Sequence, residues 1–173
     1  GSGRHCVGRG REVSLGSREP GVGSLERGVV VLSHRLHFDT PAPIAFLDLT
    51  EAVRGWVRGT GVRAGLLTVT SPHTTARIVR NEREAALQRD MVAFLEALAP
   101  AAAGYAHDAA PVDDRLNAHA HLLGLLMPAS ETIPVVDGDL VLGAWQALFL
   151  VELDGPRERR EVLLHLLPAG TPA

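Results

Sequence analysis

The sequence has no lysine, one cysteine and few aromatic residues, and each shortage excludes a class of chemistry. All 17 basic side chains are arginine, so a lysine Schiff base and a Walker-type phosphate loop are excluded. Cys6 is the single cysteine, and it can form neither an intrachain disulfide nor a multi-cysteine zinc or iron–sulfur site. Any metal must therefore be held by histidine and carboxylate.

Charge and hydrophobicity narrow the class of protein further. The formal net charge is −3 and aromatic residues make up 4% of the chain, which gives neither the basic field nor the stacking surface of a nucleic-acid-binding protein. No run approaches the ~18 apolar residues that cross a bilayer, and no charged-then-apolar leader opens the chain. We therefore expect a cytoplasmic domain with no nucleic-acid or membrane partner.

The N-terminal part of the chain differs in composition from the rest. Residues 1–28 contain eight of the 18 glycines and hardly an apolar pair, so they cannot bury enough surface to offset their ordering entropy. We interpret residues 1–28 as a disordered extension, 29–168 as a single domain and 169–173 as a tail.

The spacing of apolar residues predicts two main helices among some seven strands. Helical periodicity is found at about 49–57 and 84–98, whereas residues 100–118 are typical of a long loop. Strand patterns bounded by turn residues are found at 29–38, 65–70, 76–80, 119–127, 131–136, 140–153 and 159–167. Turn signals such as Asp137-Gly138 favour antiparallel pairing. The prediction is an α+β domain with one packed sheet layer or a sandwich.

Histidines near the ends of these elements are the first candidates for a site. His119 and His121 share one face if 119–127 is a strand, so both imidazoles could reach one ion. His73 follows Pro72 at a strand exit, and His107 lies in the long loop. A lone His-x-His pair is more often structural or on the surface, so the pair by itself does not decide the question.

Several polar side chains near these histidines could complete a site. Glu82, Asp108, Asp113 and Asp114 could orient a ligand histidine, although solvated loop acids explain Asp113 and Asp114 better. The hydroxyls beside His73 belong to Thr74 and Thr75. The arginines that could hold an anionic group are Arg77, Arg80 and Arg157.

The predicted strand 140–153 contains polar residues on one of its two faces. Alternation places Gln146 and Glu152 on one face, and Trp145 and Phe149 on the other. We interpret the second face as core. The first is either a wet face or the wall of a site, and spacing does not distinguish these.

Six short motifs follow one another between residues 29 and 168. They are Pro72-His73-Thr74-Thr75-Ala76 with Asn81-Glu82, Tyr105-Ala106-His107-Asp108, Asn117 ahead of Ala120-His121, Thr132-Ile133-Pro134-Val135 with Asp137-Gly138, Leu142-Gly143-Ala144-Trp145-Gln146, and Glu152-Leu153-Asp154-Gly155-Pro156-Arg157. Together they closely resemble the YjbQ family, which is described as secondary thiamine-phosphate synthases. The resemblance implies an α+β fold with a mostly antiparallel sheet, a homotrimer, and a histidine site for a divalent metal near a subunit boundary.

The resemblance also implies roles for individual residues. It places metal ligands at His73, His107 and His121, and leaves open whether His119 is a fourth ligand. The implied catalytic residues are Glu82, Glu152 and Asp108. The implied substrate-binding residues are Thr74, Thr75, Asn81, Asn117, Gln146 and Arg157. Arg77 stands where the family usually has a small residue.

The implied reaction joins a pyrimidine pyrophosphate to a thiazole phosphate with loss of pyrophosphate. Such a step needs a cation and an oriented, dry pocket more than a covalent nucleophile. Histidine clusters favour zinc-like metals, so we expect one, with magnesium as the alternative for a phosphorylated substrate. Two other functions stay open: metal-dependent hydrolysis of a small phosphorylated metabolite, and a non-catalytic trimer that binds a metal or small anion.

Overall fold

Eight strands and three α-helices follow one another along residues 30–170, the part of the chain that the computed structural model describes. The extension predicted at 1–28 lies outside the described residues. The strands are β1 (Leu32–Thr40), β2 (Ala45–Asp48), β3 (Ala64–Thr70), β4 (Ala76–Glu82), β5 (Ser130–Val136), β6 (Asp139–Leu140), β7 (Gln146–Glu152) and β8 (Arg157–Pro168). The helices are α1 (Thr50–Thr60), α2 (Ala85–Leu98) and α3 (Ala118–Gly124), with a 3₁₀ turn at Ala106–Ala109.

The strands form two antiparallel sheets. The larger has the order β1-β8-β3-β5-β6 and the smaller the order β2-β7-β4. This confirms the predicted α+β class and its antiparallel pairing.

The main core lies between the two sheets. Alternate residues of the central strands, such as Leu67, Ile133 and Leu164, face those of the smaller sheet, such as Ile78 and Leu148. Helix α1 closes one side of this core with its fully buried valines. Each alternating strand therefore buries one row of side chains, as period-2 patterning requires.

Strand β7 is buried on both faces, whereas the sequence predicted that one face is a wet face or the wall of a site. Leu148 and Leu150 face the larger sheet, whereas Phe149 and Val151 face α2 and α3. The predicted strand 140–153 is interrupted at residues 141–145, and Trp145 there is 76% exposed instead of core. A strand that lies between a sheet and a layer of helices is buried on both faces and has an almost continuous apolar sequence. Alternation of residues along such a strand therefore does not predict a solvent-exposed face.

Residues 119–127 were predicted as a strand and are mostly helical. In α3 the buried residues Ala120, Leu123 and Gly124 recur at helical spacing against the second core. The Asp108 Oδ1 atom accepts from the Ala118 amide (3.0 Å) and satisfies one amide of the first turn. Residues two apart in a helix differ by about 200° in direction, so His119 and His121 do not share a face.

Candidate functional site

Two histidines predicted as metal ligands lie side by side. His107 is carried by the 3₁₀ turn and His121 by α3, and their ring centroids are 5.3 Å apart at an interplanar angle of 78°. Both rings line a pocket of about 460 Å³ together with Tyr105 and Leu122. The long loop 100–118 thus brings its histidine to the helix, as expected of a loop with a function.

A chain of hydrogen bonds orients the His107 ring. Asn117, which is buried, donates from Nδ2 to the Asp154 carboxylate (2.9 Å). Its Oδ1 atom then faces the His107 Nε2 atom at 3.2 Å. Because an amide oxygen only accepts, His107 donates from Nε2, and the lone pair of its Nδ1 atom is left for a ligand or a proton.

Asp154 ends this chain of hydrogen bonds. The sequence predicted no role for it beyond its place in the motif Glu152–Arg157. Its carboxylate also accepts from the Arg157 guanidinium, which lies three residues further on. The Arg115 guanidinium lies 4.0 Å from the same carboxylate. The turn after β7 therefore places Asp154 and Arg157 together, and the loop 100–118 brings Arg115 near the same carboxylate.

A buried ion pair supports this turn from below. Glu152 is fully buried, and its carboxylate accepts two 2.6 Å hydrogen bonds from Arg160, one from Nε and one from Nη2. The Glu152 Oε1 atom also accepts from the backbone amides of Leu153 (3.1 Å) and Asp154 (2.9 Å). Glu152 was predicted to be catalytic, and in the structure its oxygens accept the hydrogen bonds of this network, including one from the Asp154 amide.

Two threonines complete the network around the ion pair. Thr75 accepts from Arg160 Nη2 (3.0 Å), and Thr40 donates to Glu152 Oε2 (3.1 Å). Buried charges are tolerated only when they are paired and hydrogen-bonded in this way. Thr75, predicted to bind substrate, is itself buried in the network, whereas its neighbour Thr74 is exposed.

His73 lies near this network, and its ring already forms a hydrogen bond. Its Nε2 atom accepts from the Glu161 amide (2.9 Å). Burial, then the positive charge of Arg160, lower the pKa of His73, although Glu152 and Glu161 oppose the shift. A neutral imidazole has one lone pair, so His73 can ligate a metal only if this hydrogen bond breaks.

Arg77 connects His73 to the helix that carries His121. It donates from Nε to the Gly124 carbonyl (2.7 Å) and from Nη1 to the His73 carbonyl (3.2 Å). A Cβ atom on Gly124 would lie 2.8 Å from the guanidinium. The unusual arginine at this position therefore ties a strand exit to the end of α3, and glycine leaves the room it needs.

The remaining predicted site residues lie at the other end of the β4–β7 pair. Glu82 is paired in register with Gln146, whereas Ala76 is paired with Glu152. The two ends are six residue steps apart, which corresponds to about 20 Å of strand. Asn81 donates to the Met91 sulfur (3.3 Å), and Gln146 accepts from the Gly143 amide (2.9 Å). Glu82 and Gln146 are therefore separated from the histidine pocket.

No three histidine, cysteine or acidic residues form a metal-holding cluster within residues 30–170. The structure brings His107 and His121 together but leaves His73 with a different partner. His119 has a buried Nδ1 atom without a hydrogen-bond partner in this part of the chain. Of the three predicted metal ligands, the described part of the chain therefore places only His107 and His121 side by side.

The comparisons with known proteins agree with this arrangement of elements. A family model described as UPF0047 protein YjbQ-like matches residues 34–169. The chain belongs to the YjbQ family. It is 39% identical over 142 residues to a UPF0047 protein of Methanothermobacter thermautotrophicus, covering 82% of this chain and 94% of that one. It is 32% identical over 116 residues to UPF0047 protein YugU of Bacillus subtilis, covering 65% and 83% of the two chains.

Solved structures of YjbQ-like proteins show the same fold. A YjbQ-like protein of unknown function from Sulfolobus solfataricus superposes with a TM-score of 0.75 at 33% identity, covering 82% of this chain and all of that one. A hypothetical protein from Aeropyrum pernix gives a TM-score of 0.74 at 38% identity, covering 80% and 99%. Within the described residues, no helix is long and apolar enough to cross a membrane.

Sequence reasoning missed three residues of the polar network: Thr40, Asp154 and Arg160. Asp154 was within reach, because the family motif Glu152–Arg157 contains it. Arg160 and Thr40 had no signal, since each looks like an ordinary surface residue of a strand. The turn from β7 into β8 returns Arg160 to Glu152, and the pairing of β1 with β8 brings Thr40 to the same carboxylate.

Proposed function

We propose that this YjbQ-family protein is an enzyme that uses a zinc-like divalent metal, held by His107 and His121, to act on a small phosphorylated substrate. The observation that carries the proposal is the Asp154–Asn117–His107 chain, in which a buried amide and a carboxylate fix one nitrogen of the ring. A hydrogen-bonded second nitrogen is the usual companion of a ligand histidine, because it sets the tautomer and the ring orientation.

The donor set favours a nitrogen-binding metal over magnesium. The carboxylates of Asp108 and Asp154 do not line the pocket, whereas the imidazoles of His107 and His121 do. Imidazole suits zinc, nickel or iron, whereas magnesium prefers oxygen. When bound, such a metal would supply positive charge for a phosphate group and leave positions open to water or substrate.

The chain's own residues have separate tasks in this proposal. Arg157 is held by the same Asp154 carboxylate that accepts from Asn117, and it would bind an anionic group of the substrate. Tyr105 and Leu122 line the pocket and exclude water from part of it. A homotrimer, implied by the family resemblance, is part of the proposal, because a second copy could provide the ligands that residues 30–170 of one chain do not place beside His107.

The finer proposal for the reaction is the transfer that the family resemblance implies. A pyrimidine pyrophosphate would react with a thiazole phosphate, and the C–O bond to pyrophosphate would break as the C–N bond to the thiazole nitrogen forms. The negative charge that develops on the leaving pyrophosphate is what Arg157 and the metal would neutralise. Hydrolysis would instead release pyrophosphate without the thiazole phosphate.

Metal titration by calorimetry tests the centre. We expect chelator-treated protein to bind about one equivalent of Zn²⁺ per chain, His121→Ala to lose this binding, and Asn117→Leu to weaken it by about 10–100-fold. The control is His165→Ala, which removes an exposed histidine from β8. Unchanged binding in His121→Ala would contradict the centre. Release of pyrophosphate with and without a thiazole phosphate then separates transfer from hydrolysis.

A further inference from the structure

A second pocket lies at the end of the β4–β7 pair that is remote from the histidines. It has a volume of about 340 Å³. We call it the Trp145 pocket and define it by its lining residues Thr50, Arg54, Glu82, Arg83, Trp145 and Gln146, with the turn 142–144. The pocket contains the family motif Leu142–Gln146, for which the histidine centre has no role.

Trp145 is held outward by a rigid turn. The Gln146 amide donates to the Gly143 carbonyl (2.9 Å), and the Gln146 Oε1 atom accepts from the Gly143 amide (2.9 Å). The indole is nevertheless 76% exposed. A large aromatic side chain on a fixed backbone is a ready stacking surface, because little conformational entropy is lost when a flat ligand binds.

The charged side chains around the indole differ in whether they form ion pairs with other residues. Arg54 pairs with Glu51 (3.2 Å) and with Asp139 (3.1 Å), and Arg83 pairs with Asp48, but each guanidinium has five N–H donors and keeps some of them free. The Glu82 carboxylate forms no hydrogen bond or ion pair with the described residues of the chain. The pocket therefore offers an aromatic face, an unpaired carboxylate and arginine N–H donors.

We propose that the Trp145 pocket is a second binding site, for a flat nitrogen heterocycle that carries an amino group and a phosphate. The ring stacks on Trp145, as bases stack on aromatic side chains in proteins that bind single-stranded nucleic acids. The amino group donates to Glu82, since a carboxylate only accepts. The phosphate binds the free donors of Arg54 or Arg83.

This site is distinct from the histidine pocket within one chain. The about 20 Å of β7 between Gln146 and Glu152 is longer than a single nucleotide-sized molecule can bridge while it fills both pockets. The proposal therefore goes beyond the proposed metal centre and does not depend on it. Loss of metal binding would leave the Trp145 pocket intact.

Two matched nucleotides test the recognition. Cytidine monophosphate carries the ring amino group, and uridine monophosphate has a carbonyl oxygen at the same place. Calorimetric titration of the full chain should show saturable binding of the first and at least several-fold weaker binding of the second. Trp145→Ala should weaken cytidine monophosphate binding about tenfold through lost stacking. Phe94→Ala, which removes an exposed aromatic ring from α2, should leave it unchanged.

A further variant tests the carboxylate. Glu82→Gln keeps the shape, but its amide can donate to the uracil carbonyl, so it should abolish the preference for cytidine monophosphate. No saturable binding of either nucleotide, or equal binding by the wild type and Trp145→Ala, would overturn the proposal. Zn²⁺ titration of Trp145→Ala should match the wild type, which separates failure of this site from failure of the histidine centre.

Discussion

The two ends of the β4–β7 strand pair differ in how many of their polar groups have hydrogen-bond partners. At the Glu152 end, a buried ion pair, two threonines and backbone amides form hydrogen bonds with one another. At the Gln146 end, an indole and the Glu82 carboxylate face outward without partners in the described chain. One end fixes a geometry, and the other presents unused groups to solvent.

The difference shows which groups act and which only support. Glu152 has the residue type and the motif of a catalytic acid, but its hydrogen bonds hold the Asp154 turn. The groups left available at that end belong to His107 and His121, which the polar network orients from behind. The hydrogen bonds of Glu152 thus favour a positioning role for this residue.

Breaking the buried pair should have the largest effect. Arg160→Met leaves the Glu152 carboxylate buried without its cation, and we expect the free energy of unfolding to fall by about 3–5 kcal/mol. Urea unfolding measures it. Arg35→Met, which removes an exposed pair with Glu161 on the same sheet, should cost at most about 1 kcal/mol.

Equal losses in the two arginine variants would show that the Glu152 end is no more specialised than the surface. If Arg160→Met does not fold, the double variant Glu152→Leu/Arg160→Met keeps the prediction testable. It leaves no charge buried, so it should be more stable than the single variant.

An intermediate effect is expected from acid. The pKa of His73 is lowered in the folded protein by burial and by Arg160, from an ordinary value of 6.5. The unfolded chain then binds this proton more tightly than the folded protein does. The free energy of unfolding is therefore unaffected by His73 above pH 6.5 and decreases as the pH falls from 6.5 through the lowered pKa.

Urea unfolding at several pH values checks this sign. Stability of the wild type should decrease below pH 6.5, and His73→Gln should lose part of that slope. His165→Gln, exposed on β8, controls for the loss of a histidine. A slope in His73→Gln identical to that of the wild type would assign the acid sensitivity to other groups.

The smallest effect should come from the opposite end. Trp145→Ala removes a large side chain that packs on little of the chain, so the free energy of unfolding should change by less than about 0.5 kcal/mol. The same urea titration measures it. A loss above about 1 kcal/mol would mean that the indole is covered in the assembled protein, and the contrast between the two ends would disappear.

Much of the fold followed from local patterns in the sequence. The helices α1 and α2 and the strands β3 and β5 were predicted nearly at their observed bounds, because each has a regular period and clear end signals. Helix α3 was predicted as a strand. Its seven residues are too short to show a helical period above the alternation of His119 and His121.

The candidate site was predicted as one constellation and is divided in the structure. His107, His121 and Asn117, which the motifs assign to one site, lie next to one another in the structure. They gave no distances, however, so Glu82 and Gln146 were assigned to the same site although they lie at the far end of β4 and β7. A motif reports that a residue is constrained, and the sheet register decides where it is.

By itself the sequence determined the α+β class, the family and the residue types available for chemistry, because periodicity, composition and motifs are local properties of the chain. The tertiary structure alone decided which side chains are already satisfied. The turn from β7 into β8 returns Arg160 to Glu152 and brings Asp154 to Asn117, and the pairing of β1 with β8 brings Thr40 to Glu152. Whether a polar group has a hydrogen-bond partner depends on how the strands and turns pack together, so a local sequence pattern does not predict it.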